Sequence, residues 1–219
     1  MSKKQTAKEN LETIAEKIRL QLSAKDAARE SVLHLCREII RYSANAIRAV
    51  HRQEQKKAEQ LLNSALASSR KLTNSVPQEH SELLYSGFVH DAQKERAEAS
   101  ITLAIVTGKP LPDPETLGIN YPAYLNGLGE AVGELRRYLL DSLRRNDLSR
   151  CEELLIIMDD VYSVLVTMDF PDAITYGLRR TTDSVRGILE KTRGDLTLVL
   201  RQKSLEKKLE QALTFPKEG

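Results

Sequence analysis

YPAYLNGLGEAVGELRRYLLDSLRRND, residues 121–147, is the stretch that decides the fold. Pro122 suits the first turn of a helix, where its missing N–H has no partner to lose. No proline follows until Pro171, so a helix is expected over 123–145. Asn146 and Asp147 mark a turn, with Asp147 or Ser149 as the cap of the next helix. Gly127, Gly129 and Gly133 do not form a phosphate-binding loop pattern. They read as close helix contacts, which would bring Glu130 and Glu134 near a neighbouring helix.

Helical periodicity extends in both directions from there. Leu11, Ile14, Ala15, Ile18 and Leu22 follow an i, i+3, i+4, i+7 course. That helix either ends at Ser23 or runs on into 27–50, whose apolar positions are Val32, Leu33, Cys36, Ile39, Ile40, Ile47 and Val50. A third helix is expected over 53–72, with Ala58, Leu61, Leu62, Ala65 and Leu66 inward, broken by Asn74, Ser75 and Pro77. A fourth covers 78–106, with Gly108 just past its end. Residues 108–122 carry four of the seven prolines and form the one clear loop. A sixth helix is expected over 151–168. A seventh runs from Pro171 past Leu200, weakened locally by Gly177, Gly187 and Gly194. The last residues, TFPKEG, should fray. The expectation is an all-α fold, seven helices in a single bundle-like domain spanning residues 1–219.

Composition agrees. Charged residues make up 29% and aromatics 5%, with no Trp, the balance of a helical globular chain. A net charge of +2 is too small to imply nucleic-acid binding in bulk, so any such role depends on how charge is distributed. Cys36 and Cys151 are far apart and outside any CxxC arrangement, which suggests two buried free thiols in a reducing cytoplasm. MSKKQTAKEN lacks the apolar core of a signal peptide, and no apolar run approaches bilayer-spanning length. No membrane partner is expected.

Two pairs of glutamates stand out chemically. Glu95 and Glu98 lie in KERAEA; Glu130 and Glu134 lie in GEAVGE. Spacings of three and four put both members of a pair on one helix face, where like charges cost a little stability. Two facing helices could join the pairs into an oxygen-rich site for divalent cations. Solvated surface acids neutralised by Lys94, Arg96, Arg136 and Arg137 are the other reading. His90 and Asp91, one turn before Glu95, either join the acidic face or are ordinary partly buried polar groups, the commoner case.

A basic stripe stands out too. At about 100° per residue, Arg37, Arg41, Arg48 and Arg52 fall within roughly 60° of one another, opposite Leu33, Cys36, Ile40 and Ile47. Arginine's planar fork suits phosphate, so the stripe reads as a nucleic-acid backbone contact. A solvated face paired with Glu30, Glu38 or Glu54 explains it equally well. His51 and Lys56 or Lys57 extend it if the helix runs on. Arg179, Arg180, Arg186, Arg193 and Arg201 read as ordinary surface pairs with acids such as Asp183, Glu190 and Asp195. No aromatic stacking platform is present.

Four segments in order, REIIRYSANAIRAVHR at 37–52, FVHDAQKERAEASITLAI at 88–105, residues 121–147 and YGLRRTTDSVRGILEKTRGDL at 176–196, resemble the translin family in its archaeal form. They are closer to translin-associated factor X, the catalytic subunit, than to translin itself. The resemblance implies an all-α subunit of about seven helices. It implies assembly into a hollow homo-octamer that binds single-stranded RNA and single-stranded DNA, with duplex RNA as a further ligand if the arginines lie outside the shell. A translin-like partner subunit belongs to the same pattern. It further implies a Mg²⁺-dependent (or Mn²⁺-dependent) endoribonuclease whose carboxylates fall on Glu95, Glu98, Glu130 and Glu134. The family usually has aspartate where this chain has Glu130, and the extra methylene alters that ligand's reach. In such a site, paired divalent ions stabilise the attacking and leaving oxygens of phosphodiester cleavage.

Overall fold

α3 (Gly87–Val106) is the axis of the fold. Its ASITLAIV segment is apolar on every side, as a helix surrounded by others must be, and residues from Ile101 to Val106 are all buried. A computed structural model describes residues 2–214, and those residues form helices and no strand. α1 (Ser2–His51) and α5 (Tyr121–Arg144) pack against α3, and α2 (Gln55–Ser75) packs against α1. α6 (Cys151–Val166) and α8 (Leu178–Thr214) lie on α5 and on each other. Leu135, Leu139, Leu154, Met158, Leu165 and Leu178 fill the largest core, and Val32, Leu35, Cys36, Leu72 and Val89 a smaller one. No helix among the described residues is long and apolar enough to cross a membrane.

The departures from the expected boundaries have local causes. The first two expected helices are one, because nothing at Ser23 breaks the course of α1. That helix stops at His51, since Gln53 adopts a left-handed φ of 62°. The arginine stripe therefore ends at Arg52, and Lys56 and Lys57 fall on α2. A short 3₁₀ stretch (Gln78–Tyr85) replaces the start of the fourth helix; extended Ser86 separates it from α3. Gly108, φ 67°, follows α3 as expected. Lys109 N–H donates to Ala104 and Gly108 N–H to Ile105, closing a Schellman motif.

The proline-rich loop contains one helical turn, α4 (Pro114–Leu117), with Pro114 at its start and Asp113 accepting from Thr116 N–H at 2.6 Å. Asp147 does not cap α6 but accepts from Ser149 N–H at 3.0 Å in the preceding turn. The expected seventh helix is split into α7 (Asp172–Thr175) and α8, because Tyr176 and Gly177 are both left-handed.

Helical periodicity does not mean burial at either end of the chain. Leu11, Ile14, Ile18 and Leu22 on α1 are exposed, as are Leu198, Leu205, Leu209 and Leu213 on α8. Both helices outrun the bundle, so these apolar positions are left uncovered by the described residues. The expected fraying of TFPKEG falls, apart from Thr214, outside the described residues.

Candidate metal centre

Gly127 makes the site possible. A Cβ there would stand 2.7 Å from Ala97 Cβ and 2.7 Å from the Lys94 carbonyl oxygen, so only glycine lets α5 approach the α3 backbone this closely. Gly129 meets α8 instead, where a Cβ would lie 2.4 Å from Thr181 Cγ2. Gly133 has only an ordinary 3.9 Å neighbour and needs no close approach.

With the two backbones in contact, one carboxylate oxygen from each of Glu95, Glu98 and Glu130 lies within 4.8 Å of the others. Glu98 is buried, at 8% exposure. Neither the Glu95 nor the Glu98 carboxylate makes a hydrogen bond or salt bridge with a described residue. Burial, then the carboxylates of Glu130, Glu95 and Glu134, push Glu98 up to about 8. Burial, then Glu130, raises Glu95 as well. Unpartnered carboxylates held this close without a cation are a cost, and an all-oxygen donor set suits hard divalent ions such as Mg²⁺ or Mn²⁺. The residues therefore fit such an ion.

Glu134 stands in the same cleft but outside that trio. It is bonded to His51 Nε2, and Arg137 lies 3.9 Å away. The His51 bond is the main reason its carboxyl is held below the usual range. Of the four cations read as neutralising the acids, Arg137 approaches Glu134 and Lys94 donates to Glu130 Oε1 at 2.8 Å. Burial opposes the Lys94 ammonium, but its bond to Glu130 prevails and holds its pKa above the ordinary value. Arg96 is buried and donates to the Leu117 carbonyl. Arg136 ties α5 to α8 through Asp195 at 2.7 Å and Thr192 at 2.9 Å. His90 does not join the trio; it stacks on Tyr176 with ring centroids 4.2 Å apart.

No family model matches the chain. An uncharacterized protein of Methanocaldococcus jannaschii is 31% identical over 194 residues, covering 87% of this chain and 84% of its own length. Among solved structures, that of an AfC3PO–duplex RNA complex matches with a TM-score of 0.79 at 32% identity, over 86% of this chain and 97% of that one. The crystal structure of AfC3PO matches at 0.78 and 31%, with the same coverage. The chain belongs to the translin family. Its all-α architecture is the translin type expected from the sequence. The likeness to apo-NeC3PO, 17% identical with a TM-score of 0.74 over 84% of this chain and 96% of that one, extends the shared fold alone.

In this translin-family chain all four stripe arginines are exposed. Arg48 lines the acidic cleft, a space of about 700 Å³, and donates to Asn45 Oδ1 at 2.8 Å. Arg41 sits over the Tyr42 ring, 5.3 Å from its centroid, with Glu38 at 3.9 Å. Glu30 and Glu54 are taken by Arg29 and Lys57 instead. The sequence reading had Lys94 and Arg137 beside these glutamates and His51 only on the arginine stripe; it gave no cleft role to Arg180, yet Arg180 lines the cleft and His51 is bonded to Glu134. The signal available was helical spacing: His51 follows Arg48 by three residues and Arg137 follows Glu134 by three.

Proposed function

We propose that this chain is a metal-dependent endoribonuclease. The observation that carries the reading is the trio of Glu95, Glu98 and Glu130 on two facing helices, with two of its members left without protein partners. Glu95, Glu98, Glu130 and Glu134 would hold Mg²⁺, with Mn²⁺ as its substitute. A divalent ion there supplies charge stabilisation for phosphodiester hydrolysis. The chain's own part is to hold that charge in a cleft and to bind RNA beside it through arginine. The identity with AfC3PO, a protein seen with duplex RNA, supports RNA as the ligand. Single-stranded RNA is the substrate proposed, with single-stranded DNA and duplex RNA as further ligands. The exposed apolar stripes of α1 and α8 support assembly into a homo-oligomeric shell, an octamer on the family pattern, with or without a translin-like partner subunit. The whole chain, residues 1–219, acts as one domain in it. The buried free thiols Cys36 and Cys151 suit the cytoplasm.

Cleavage of a labelled single-stranded RNA in Mg²⁺ and in EDTA tests the reading. The Glu130→Gln/Glu134→Gln variant should lose cleavage and keep RNA binding. Unchanged cleavage by that variant removes the assignment.

One observation favours a second reading, a nucleic-acid-binding oligomer without catalysis. The Lys94–Glu130 ion pair already offsets part of the cluster's charge without any metal. RNA binding in wild type with no cleavage under any metal would select it. In either case binding should weaken steeply with salt, by a slope of about 0.7 per phosphate contact on single strands. Replacing Arg37, Arg41 and Arg48 with Ala should flatten that slope. An unchanged slope would show that the stripe touches no phosphate.

A further inference from the structure

The cleft that holds the acids is anionic, and so is the proposed substrate. Some cation on its wall has to meet the phosphodiester backbone. Arg48 of α1, Arg137 of α5 and Arg180 of α8 line the cleft together with Glu95, Glu98 and Glu130.

Arg180 differs from its neighbours on α8. Arg179 holds Asp169 at 3.5 Å, Arg186 holds Glu190 at 3.2 Å, and Arg193 holds Asp159 at 2.9 Å. Arg180 is exposed, and its guanidinium engages no acceptor among the described residues. Its backbone is nevertheless fixed. The adjacent Thr181 donates to Asn126 Oδ1 at 2.7 Å, and Asn126 donates to the Thr175 carbonyl at 2.8 Å, tying the start of α8 to α5 one turn before Glu130. An arginine with an anchored backbone and a free guanidinium, lining an acidic cleft, is arranged to receive an anion. Arg137 is nearly as free: it is exposed, and the nearest Glu134 oxygen is 3.9 Å away.

We propose that Arg180 and Arg137, together with Arg48, form a clamp for the RNA phosphodiester beside the carboxylate cluster, each guanidinium fork binding non-bridging phosphate oxygens. The clamp would set where along the strand the phosphate sits relative to Glu95, Glu98 and Glu130. It rests on the nuclease reading for its place in the reaction, but not for its contact with RNA.

The test measures KM and kcat on a labelled single-stranded RNA, and Mn²⁺ affinity by calorimetry, for wild type, Arg137→Ala, Arg180→Ala, Arg180→Lys and Arg186→Ala. The two cleft alanine variants should raise KM by roughly 10- to 100-fold, the loss expected of charge-assisted hydrogen bonds, with Mn²⁺ affinity unchanged. Arg180→Lys should recover only part, because a point charge lacks the fork. Arg186→Ala, the same charge change on the same helix, should match wild type. Unchanged KM in both cleft alanine variants, with wild type cutting RNA, overturns the clamp and leaves the nuclease standing. If wild type cuts nothing, the dissociation constant for the same RNA replaces KM. A rise in the cleft alanine variants then supports the clamp without the nuclease, and no rise removes both.

Discussion

Glu98→Gln is expected to abolish Mg²⁺-dependent cleavage while raising the melting temperature of the metal-free protein. Glu98 is buried beside two other carboxylates, and no described residue hydrogen-bonds its carboxylate. Glutamine keeps the shape and removes the charge. The gain has a defined pH course. The folded carboxyl is pushed up to about 8, against an ordinary value of 4.5. The fold therefore holds a proton that the unfolded chain has released. Stability from that proton is full below pH 4.5 and is lost as pH rises through about 8. The glutamine variant loses nothing over that window. In EDTA its advantage should be near zero at pH 4.5 and on the order of 3–4 kcal/mol at pH 7–8. For a chain of this size that is a rise in Tm of roughly 6–16 °C.

Mg²⁺ should raise Tm of wild type, because ligand binding to the folded state stabilises it, and leave Glu98→Gln almost unmoved. Two melting series, with EDTA and with Mg²⁺, give both readouts. A variant that melts below wild type in EDTA, or that gains as much from Mg²⁺, would place the cation elsewhere. Here stability and function are opposed at one residue, as is common where a site holds uncompensated charge.

Glu95, Glu98, Glu130 and Glu134 were legible because their spacing is a property of each helix alone. That three of them share one site and the fourth bonds His51 was not, since it depends on how α3, α5 and α1 are juxtaposed. Arg180 lies far along the chain from Glu98 and carried only the local signal of a basic residue among acids. Its neighbours do pair with acids, as their sequence suggests. What sets Arg180 apart is the direction it faces, which appears only in three dimensions. The apolar periodicity of Leu11, Ile14, Ile18 and Leu22 specified a helix and left open what covers its apolar face, which is exposed. Periodicity reports that a face seeks a partner, not that the partner is in the same chain. The split near Tyr176 was missed for a different reason. Gly177 was seen as a weak point inside one helix, and the left-handed Tyr176 before it carries no composition signal.

Gly127→Ala is expected to destabilise the protein by about 2 kcal/mol or more, although alanine is by itself the better helix former by about 1 kcal/mol. The added Cβ meets the Lys94 carbonyl oxygen, the Glu98 nitrogen at 3.0 Å and Ala97 Cβ. Two of these are α3 backbone, and backbone inside a buried helix cannot rotate aside. Relief comes only from moving α5 off α3, which opens the interface between Ala97, Ile101, Ala131 and Leu135 and loses packing along its length. The same movement separates Glu130 from Glu95 and Glu98, so the Mg²⁺-dependent rise in Tm should shrink together with the stability. Gly187→Ala supplies the contrast. It is the same substitution inside a long helix, but the new Cβ meets nothing within 4 Å. There the propensity gain stands alone, and a stabilisation of about 0.5–1 kcal/mol follows. Thermal melts of the two variants should therefore move in opposite directions from wild type. Equal Tm values would mean that α3 and α5 stand further apart than the contact at Gly127 requires. The carboxylate trio would then lose the close approach that brings its members together.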